Sequence, residues 1–255
     1  MNYTVDAVDK ALNLLFLIAD QPGLGVTELA KRAGITKARS YRLLETLEKS
    51  GLVRRHGNSA IYSLSFMSLF VGAAAQEQIK LVRLAKRYLG ELGSQLNEHV
   101  YVQVRDGGEA ICIAHWDARQ MVRVQTKIGA RKPLYAGASG KLLAAFAPME
   151  VQACVLNEEK TCYTANTIIE RDRLEKEFEE IRIQEHSVSQ GERVIDTVAV
   201  AVPIRDVFGE VIATLSVALP ALRASADRLD TCLNVLKRTA TTFSRDLGYD
   251  GEEET

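Results

Sequence analysis

The sequence predicts an α+β chain with two domains and a helix between them. Three features carry that reading. Two short capped helices and a hairpin lie within residues 1–65, a small-residue apolar stretch covers 66–78, and strand-like alternation interleaves with helical periodicity over 79–250. A length of 255 residues suits two compact domains or one large one.

Val5, Val8, Leu12, Leu15 and Phe16 recur at helical spacing with Asp6, Asp9 and Lys10 turned away, so the first helix is expected to bury that stripe. Gln21-Pro22-Gly23 stops it. A second helix is expected from an N-cap at Thr27 to about Arg32, with Gly34 past its end. Thr36 is the N-cap of a third helix running to about Ser50, with Leu43, Leu44 and Leu47 on one side and Gly51 closing it. Leu52–Arg55 and Ile61–Leu64 flank His56-Gly57-Asn58-Ser59 as a hairpin. Helix, helix, turn, helix, hairpin is the order of a winged helix-turn-helix.

The stretch from Phe66 to Gln78, with Val71-Gly72-Ala73-Ala74-Ala75 at its centre, reads as a connecting helix. A longer amphipathic helix follows, marked by Leu81, Ala85, Tyr88, Leu92 and Leu96. Val100, Val102 and Val104 alternate with Tyr101, Gln103 and Arg105 as a strand; Gly107-Gly108 turns the chain; Ile111 and Ile113 resume the pattern. Met121–Thr126 is a third expected strand. Helical signals return at Lys141–Phe146, Val151–Leu156 and Leu174–Ile183. Val198–Ile204 and Val211–Leu219 form a buried hairpin around Phe208-Gly209, and a last helix covers about Ala224–Leu247. Residues 251–255 are expected to be a disordered tail.

Hydrophobic residues at 47% and charged residues at 25% place the chain among globular proteins. The net charge of −1 conceals an asymmetry, because residues 31–56 carry eight Lys/Arg against only Glu45 and Glu48. Cys112, Cys154, Cys162 and Cys232 form no C-x-x-C pair and are read as reduced thiols. Asp6 and Asp9 precede any apolar run fit for a signal sequence, and the longest apolar stretches fall short of the ~20 residues of a spanning helix. A cytoplasmic protein with no membrane role is expected.

The third helix points to a polyanion. A recognition helix meets DNA with its N-terminal residues while its other face packs on the core. Here Thr36, Lys37, Arg39, Ser40, Tyr41 and Arg42 crowd the first turns, and the leucines come later. Arg39 can fork onto guanine or phosphate, Ser40 and Tyr41 can bond phosphate oxygens, and Arg54 and Arg55 sit where a wing meets the flanking backbone. A basic helix alone is more often a solvated surface; the tandem caps and the hairpin favour double-stranded DNA. A single recognition helix reads few bases, so a dimer on a two-fold operator is expected.

Val8–Leu12, Thr27–Ala30, Tyr41–Leu47 and Gly51-Leu52-Val53 resemble the IclR family of transcriptional regulators. The resemblance continues through Gly129–Tyr135, Ala138–Lys141, Gly191-Glu192 and Val200–Ile204. It implies a linker helix at 66–78, a GAF-like domain that binds a small-molecule effector over 79–250, and dimers that often pair into tetramers. Gly137-Ala138-Ser139-Gly140 precedes a helix, where unpaired backbone N–H groups can receive a carboxylate, although such a start also serves close packing. By resemblance the pocket also draws on Met121, Val124, Ser189, Thr197, Ala199 and Ser216. Glu185 and Asp196 stand where relatives commonly have glycine, a residue that often marks positive φ.

The rival reading is a hydrolase with a DNA-binding appendage. Ser139, His115 and Asp117 supply the residue types of a triad, but no Gly-x-Ser-x-Gly elbow occurs. His56, His99, His115 and His186 form no H-x-x-x-H or Cys/His cluster, so neither a metal nor another cofactor is expected, and no catalytic residue is assigned. A protein-docking module is the third reading, disfavoured by the basic loading of Lys37, Arg39 and Arg42.

Overall fold

The computed structural model describes residues 3–57 and 61–251. The chain divides into two compact units, residues 1–79 and 80–255.

The first unit contains α1 (Asp6–Asp20), α2 (Val26–Arg32), α3 (Lys37–Lys49), the hairpin β1 (Val53–His56) and β2 (Ile61–Leu64), and α4 (Phe66–Gln78). Asn58 and Ser59 of the expected hairpin loop lie outside the described residues. Leu14, Ile18, Leu29, Leu44, Leu47, Val53 and Tyr62 form its core. That core corrects the expectation for α1. The helix is apolar on two sides, and it buries Leu14 and Ile18 while Val5, Val8, Leu12 and Phe16 face outward. Periodicity alone gives no preference between two such stripes.

The start of α2 also differs. Its N-cap is Gly25, two residues before Thr27. Gly25 bridges to Ile61, and the Tyr62 N–H donates to Leu24 O at 3.0 Å, so β2 holds this backbone extended until the helix begins. Thr36 caps α3 as the sequence suggests, its Oγ1 accepting from the Arg39 N–H at 3.3 Å. No residue of α4 is buried, and Phe66, Leu69 and Phe70 stand well exposed.

The second unit is built on a six-stranded antiparallel sheet ordered β5-β4-β3-β8-β7-β6. Its strands are β3 (His99–Asp106), β4 (Glu109–Trp116), β5 (Arg131–Pro133), β6 (Ser187–Gln190), β7 (Thr197–Arg205) and β8 (Val211–Pro220). The helices are α5 (Lys80–Leu96), α6 (Ala138–Ala145), α7 (Met149–Asn157), α8 (Arg171–Gln184) and α9 (Ala226–Leu247). Strand alternation sorts the two faces. Val100, Val102, Val200, Val202, Leu215 and Val217 form a close-packed core with α5 and α9. The opposite face carries Tyr101, Ala199, Ala201 and Ser216, smaller or polar residues that lie toward α6.

The expected strand at Met121–Thr126 is absent; that segment is irregular. The edge of β4 is already taken, because Cys112 exchanges hydrogen bonds with Gly129 and Ala130, and Ala110 pairs with Lys132. Residues 121–126 therefore have no partner there. Glu185 and Asp196, the two departures from glycine, both adopt left-handed backbone, with φ of +53° and +60°. Among the described residues no helix is long and apolar enough to cross a membrane, and all four cysteines are free thiols.

Beneath α6 lies a buried charge. Lys141 is 1% exposed, and its Nζ donates to Glu177 Oε1 (2.5 Å), Glu192 Oε1 (2.7 Å) and Val188 O (3.2 Å). Lys141→Met would leave the buried Glu192 without its counter-ion. The variant is expected to lose about 3–5 kcal/mol of unfolding free energy in urea denaturation, and the pair Lys141→Met with Glu192→Gln to recover part of the loss. An unchanged midpoint for Lys141→Met would contradict this.

Candidate functional site

The third helix presents a sorted surface. Thr36, Lys37, Tyr41 and Arg42 are exposed on it, while Leu44 and Leu47 lie in the core. Arg39 is half-buried and ion-paired with Asp6, and its guanidinium holds that carboxyl below the usual carboxylate range by hydrogen bonding. Ser40 requires correction: its side chain is fully buried on the core face, so it has no access to a phosphate. Its Oγ has no hydrogen-bond partner.

Arg54 and Arg55 are both exposed but occupy opposite faces of the hairpin. Arg54 donates to Ser63 Oγ at 3.3 Å and borders a groove along Leu64, Leu69 and Ala73. Arg55 pairs across the hairpin with Tyr62, its backbone N–H donating to Glu48 Oε1 of α3 at 3.1 Å. It therefore belongs with the α3 surface.

In the second unit the expected anion-receiving helix start is already filled. Gly137 sits at φ +89°, and its N–H donates to Glu192 Oε2 at 2.9 Å. The carboxylate at this N-terminus is the protein's own, and Ala138 is buried beside it. Ser139 and Ser216 are brought together from α6 and β8, with hydroxyl oxygens 2.7 Å apart. Tyr101 lies opposite Ser216 in the sheet and is pushed up by burial against the hydrogen bonds of both serines. Val124 and Ala199 pack on Tyr101, Cys112 and Ala218, and Ser189 is buried opposite Ala199. Two expected members stand apart. Met121 is 98% exposed, in the irregular segment, and Thr197 donates its hydroxyl to Val194 O at 2.7 Å.

Two cations missed by sequence reasoning complete this region. Lys132 places its Nζ 5.3 Å from the Tyr101 ring centre. Burial first and then the charge of Arg193 push its ammonium down to about 8. Arg193 lies over the Tyr163 ring at 5.2 Å, and its Nε is buried without a hydrogen-bond partner. Burial pushes the neighbouring Cys112 thiol up to about 11, so Lys132 gains no thiolate counter-ion near neutrality. Both cations lie inside or next to quoted sequence signatures, but only the sheet register places them near Tyr101 and Ser216.

At the other end of β4, His99 and His115 both approach Asp117. Burial pushes His99 down to about 4, against the attraction of Asp117. Of the residue types offered for a hydrolase triad, Ser139 is hydrogen-bonded to Ser216, and His115 approaches Asp117.

Known proteins resemble the chain along nearly its whole length. The model described as bacterial transcriptional regulator IclR C-terminal matches residues 73–245, and the IclR helix-turn-helix domain matches residues 7–57. The HTH-type transcriptional regulator KdgR of Escherichia coli (strain K12) is 31% identical over 247 residues, 96% of this chain and 94% of that protein. KipR of Bacillus subtilis (strain 168), another HTH-type transcriptional regulator, is 32% identical over 243 residues, 95% and 97% of the two chains. The crystal structure of an IclR transcriptional regulator from Alicyclobacillus acidocaldarius superposes with a TM-score of 0.90 at 26% identity, covering 96% of this chain and all of that one.

Lys132 is expected to titrate near pH 8, read by NMR of the reductively methylated protein, and to move upward in Arg193→Gln. Between about 8 and the ordinary value near 10.5 the unfolded chain holds the extra proton, so this group raises stability as pH climbs through that window. A midpoint near 10.5 in the parent protein would refute the assignment.

Proposed function

We propose that this chain, which belongs to the IclR family of bacterial transcriptional regulators, grips a two-fold operator as a dimer and adjusts that grip when a small organic anion binds its second unit. The chain is a DNA-binding transcriptional regulator with a C-terminal effector-binding domain. The operator contacts, the anion and the assembly are the proposal.

One observation carries the DNA reading: α3 is capped at Thr36, buries its leucines and exposes Lys37, Tyr41 and Arg42 in its first turns. We assign base-edge reading to Arg42 and phosphate contact to Thr36, Lys37 and Tyr41. Arg55 joins them from the hairpin, and Arg54 reaches the flanking backbone from the opposite face. Arg39 contributes once it is released from Asp6. Residues 1–65 are the DNA-binding part, 66–78 the linker and 79–250 the sensing part of a protein acting in the cytoplasm. Self-association is supported by apolar side chains that the chain itself leaves uncovered, Leu12 and Phe16 on α1 and Phe66, Leu69 and Phe70 on α4. Dimers pairing into tetramers remain within the proposal.

For the effector, Lys132 and Arg193 supply positive charge beside the hydroxyls of Ser139, Ser189 and Ser216. Val124, Ala199 and the Tyr101 ring supply an apolar wall. That combination suits a small carboxylate with a modest apolar body. Its coupling to DNA amounts to about 1–3 kcal/mol and is reciprocal.

Duplexes selected from a random pool, followed by anisotropy titrations, test the DNA arm. Arg42→Ala should weaken the selected duplex by about 1–3 kcal/mol and relax preference at one position. Ser40→Ala should bind as the parent does, because its side chain is buried. Equal losses in both variants would sink the assignment. For the effector, a thermal-shift screen of small carboxylates should yield a ligand that adds about 2.7 kcal/mol at 100 times its Kd, and Lys132→Met should abolish the shift. A panel that leaves both proteins unmoved would count against the anion.

A further inference from the structure

We propose that His99, His115 and Asp117 form a site for one divalent transition-metal ion of the zinc type. The Nδ1 atoms of both imidazoles converge on a single carboxylate oxygen, Asp117 Oδ1, at 3.0 Å from His99 and 3.5 Å from His115. The three donor atoms lie within 4.8 Å of one another. Ligand atoms ~2.0–2.2 Å from a tetrahedral ion stand roughly 3.3–3.5 Å apart, so the two short edges already bracket that value. Closing the third edge requires only side-chain rotation. His115 and Asp117 have that freedom, with side chains 24% and 43% exposed, whereas His99 is fully buried.

The fold explains why chain spacing conceals the set. His99 opens β3 while His115 and Asp117 lie at and just past the end of β4. The antiparallel pairings Tyr101 to His115 and Val100 to Trp116 bring those two ends together. His99 is held in place by stacking on Tyr101, with ring centres 5.3 Å apart, and the two imidazoles are 5.6 Å apart. His115 Nδ1 is buried, and its 3.5 Å approach to Asp117 does not amount to a hydrogen bond, so its lone pair is available to an ion. Two imidazoles and a carboxylate are a donor set suited to Zn²⁺ or Co²⁺. With only three protein ligands, one coordination position is left for water or for an oxygen of a bound molecule. The ligands are distinct from Lys132, Arg193 and the serines, although His99 stacks on Tyr101, so cobalt uptake tests this site without requiring the anion reading to hold.

The test uses the full-length protein stripped of metal by chelator. Titration with Co²⁺ should give one equivalent with the intense visible absorption of a tetrahedral ion, bleached by Zn²⁺. Asp117→Asn, at a partly exposed position, should keep the parent's melting temperature and lose at least about 100-fold in Zn²⁺ affinity, as should His115→Ala. The exposed thiols Cys154 and Cys162 are the obvious competing ligands, and Cys154→Ser with Cys162→Ser should leave the cobalt spectrum unchanged. No stoichiometric uptake by the parent, uptake undiminished in Asp117→Asn, or a spectrum lost with the two cysteines would each overturn the proposal. The histidines and Asp117 would then be a hydrogen-bonded strand clamp and nothing more.

Discussion

An ammonium group cut off from water must find its acceptors inside the protein, and Lys141 finds three, one for each of its protons. They come from α8, from the backbone of β6 and from the loop between β6 and β7, so one charge fixes three segments around α6. Glu192 extends the arrangement, since one carboxylate oxygen meets Lys141 and the other accepts from Gly137 at the helix start. The Thr167 hydroxyl in turn donates to the Glu192 carbonyl at 2.7 Å. Arg193 follows Glu192 directly, so the position of a cation beside the polar sheet face depends on a charge pair buried behind it. Desolvating such a pair is expensive, and a well-packed apolar replacement is often no less stable. The return is positional, because hydrogen-bonded charges fix geometry where hydrocarbon contacts tolerate sliding.

The two faces of the sheet divide the labour. Valine and leucine on the side of α5 and α9 form a close-packed core. On the other side Ala199, Ala201 and Ser216 are small enough for α6 to pack directly on the sheet, and Tyr101 has a polar tip. A face of that kind adds little burial energy and leaves orphaned atoms: Thr214 Oγ1, Ser187 Oγ and Gln103 Nε2 are buried there without partners. Unsatisfied groups of this sort cost about 1–3 kcal/mol each unless water or a bound molecule meets them.

Local chemistry was legible in the sequence wherever neighbours in the chain settle it. The Thr36 cap, the leucine face of α3 and the buried β7–β8 hairpin could all be read directly. Glu185 and Asp196 are marked by the family resemblance rather than by their neighbours, and both take left-handed backbone. What failed depended on distant segments. The core stripe of α1 depends on what packs against it, and Thr27 lost its cap because β2 holds Gly25. Residues 121–126 found the β4 edge already occupied, and Ser40, basic neighbours notwithstanding, turns inward. Lys132 and Arg193 were invisible for the same reason: about 60 residues separate them, and nothing local in either marks it as part of a shared charge.

The ion pair between Arg39 and Asp6 carries one more consequence. An unpaired surface arginine meets DNA by shedding water, and its contribution to binding grows with every phosphate it neutralises. Arg39 starts from an occupied state instead. If Arg39 meets the operator as proposed, a phosphate would have to displace a carboxylate already in place, leaving Asp6 as a negative charge close to a polyanion. The exchange replaces like with like, so any sequence-blind contact gains little from it, and only a duplex that offers Arg39 something better than Asp6 is rewarded. In the proposed complex the first helix would thereby compete with DNA for an arginine of the third, a modest bias against loose attachment given how exposed the pair is.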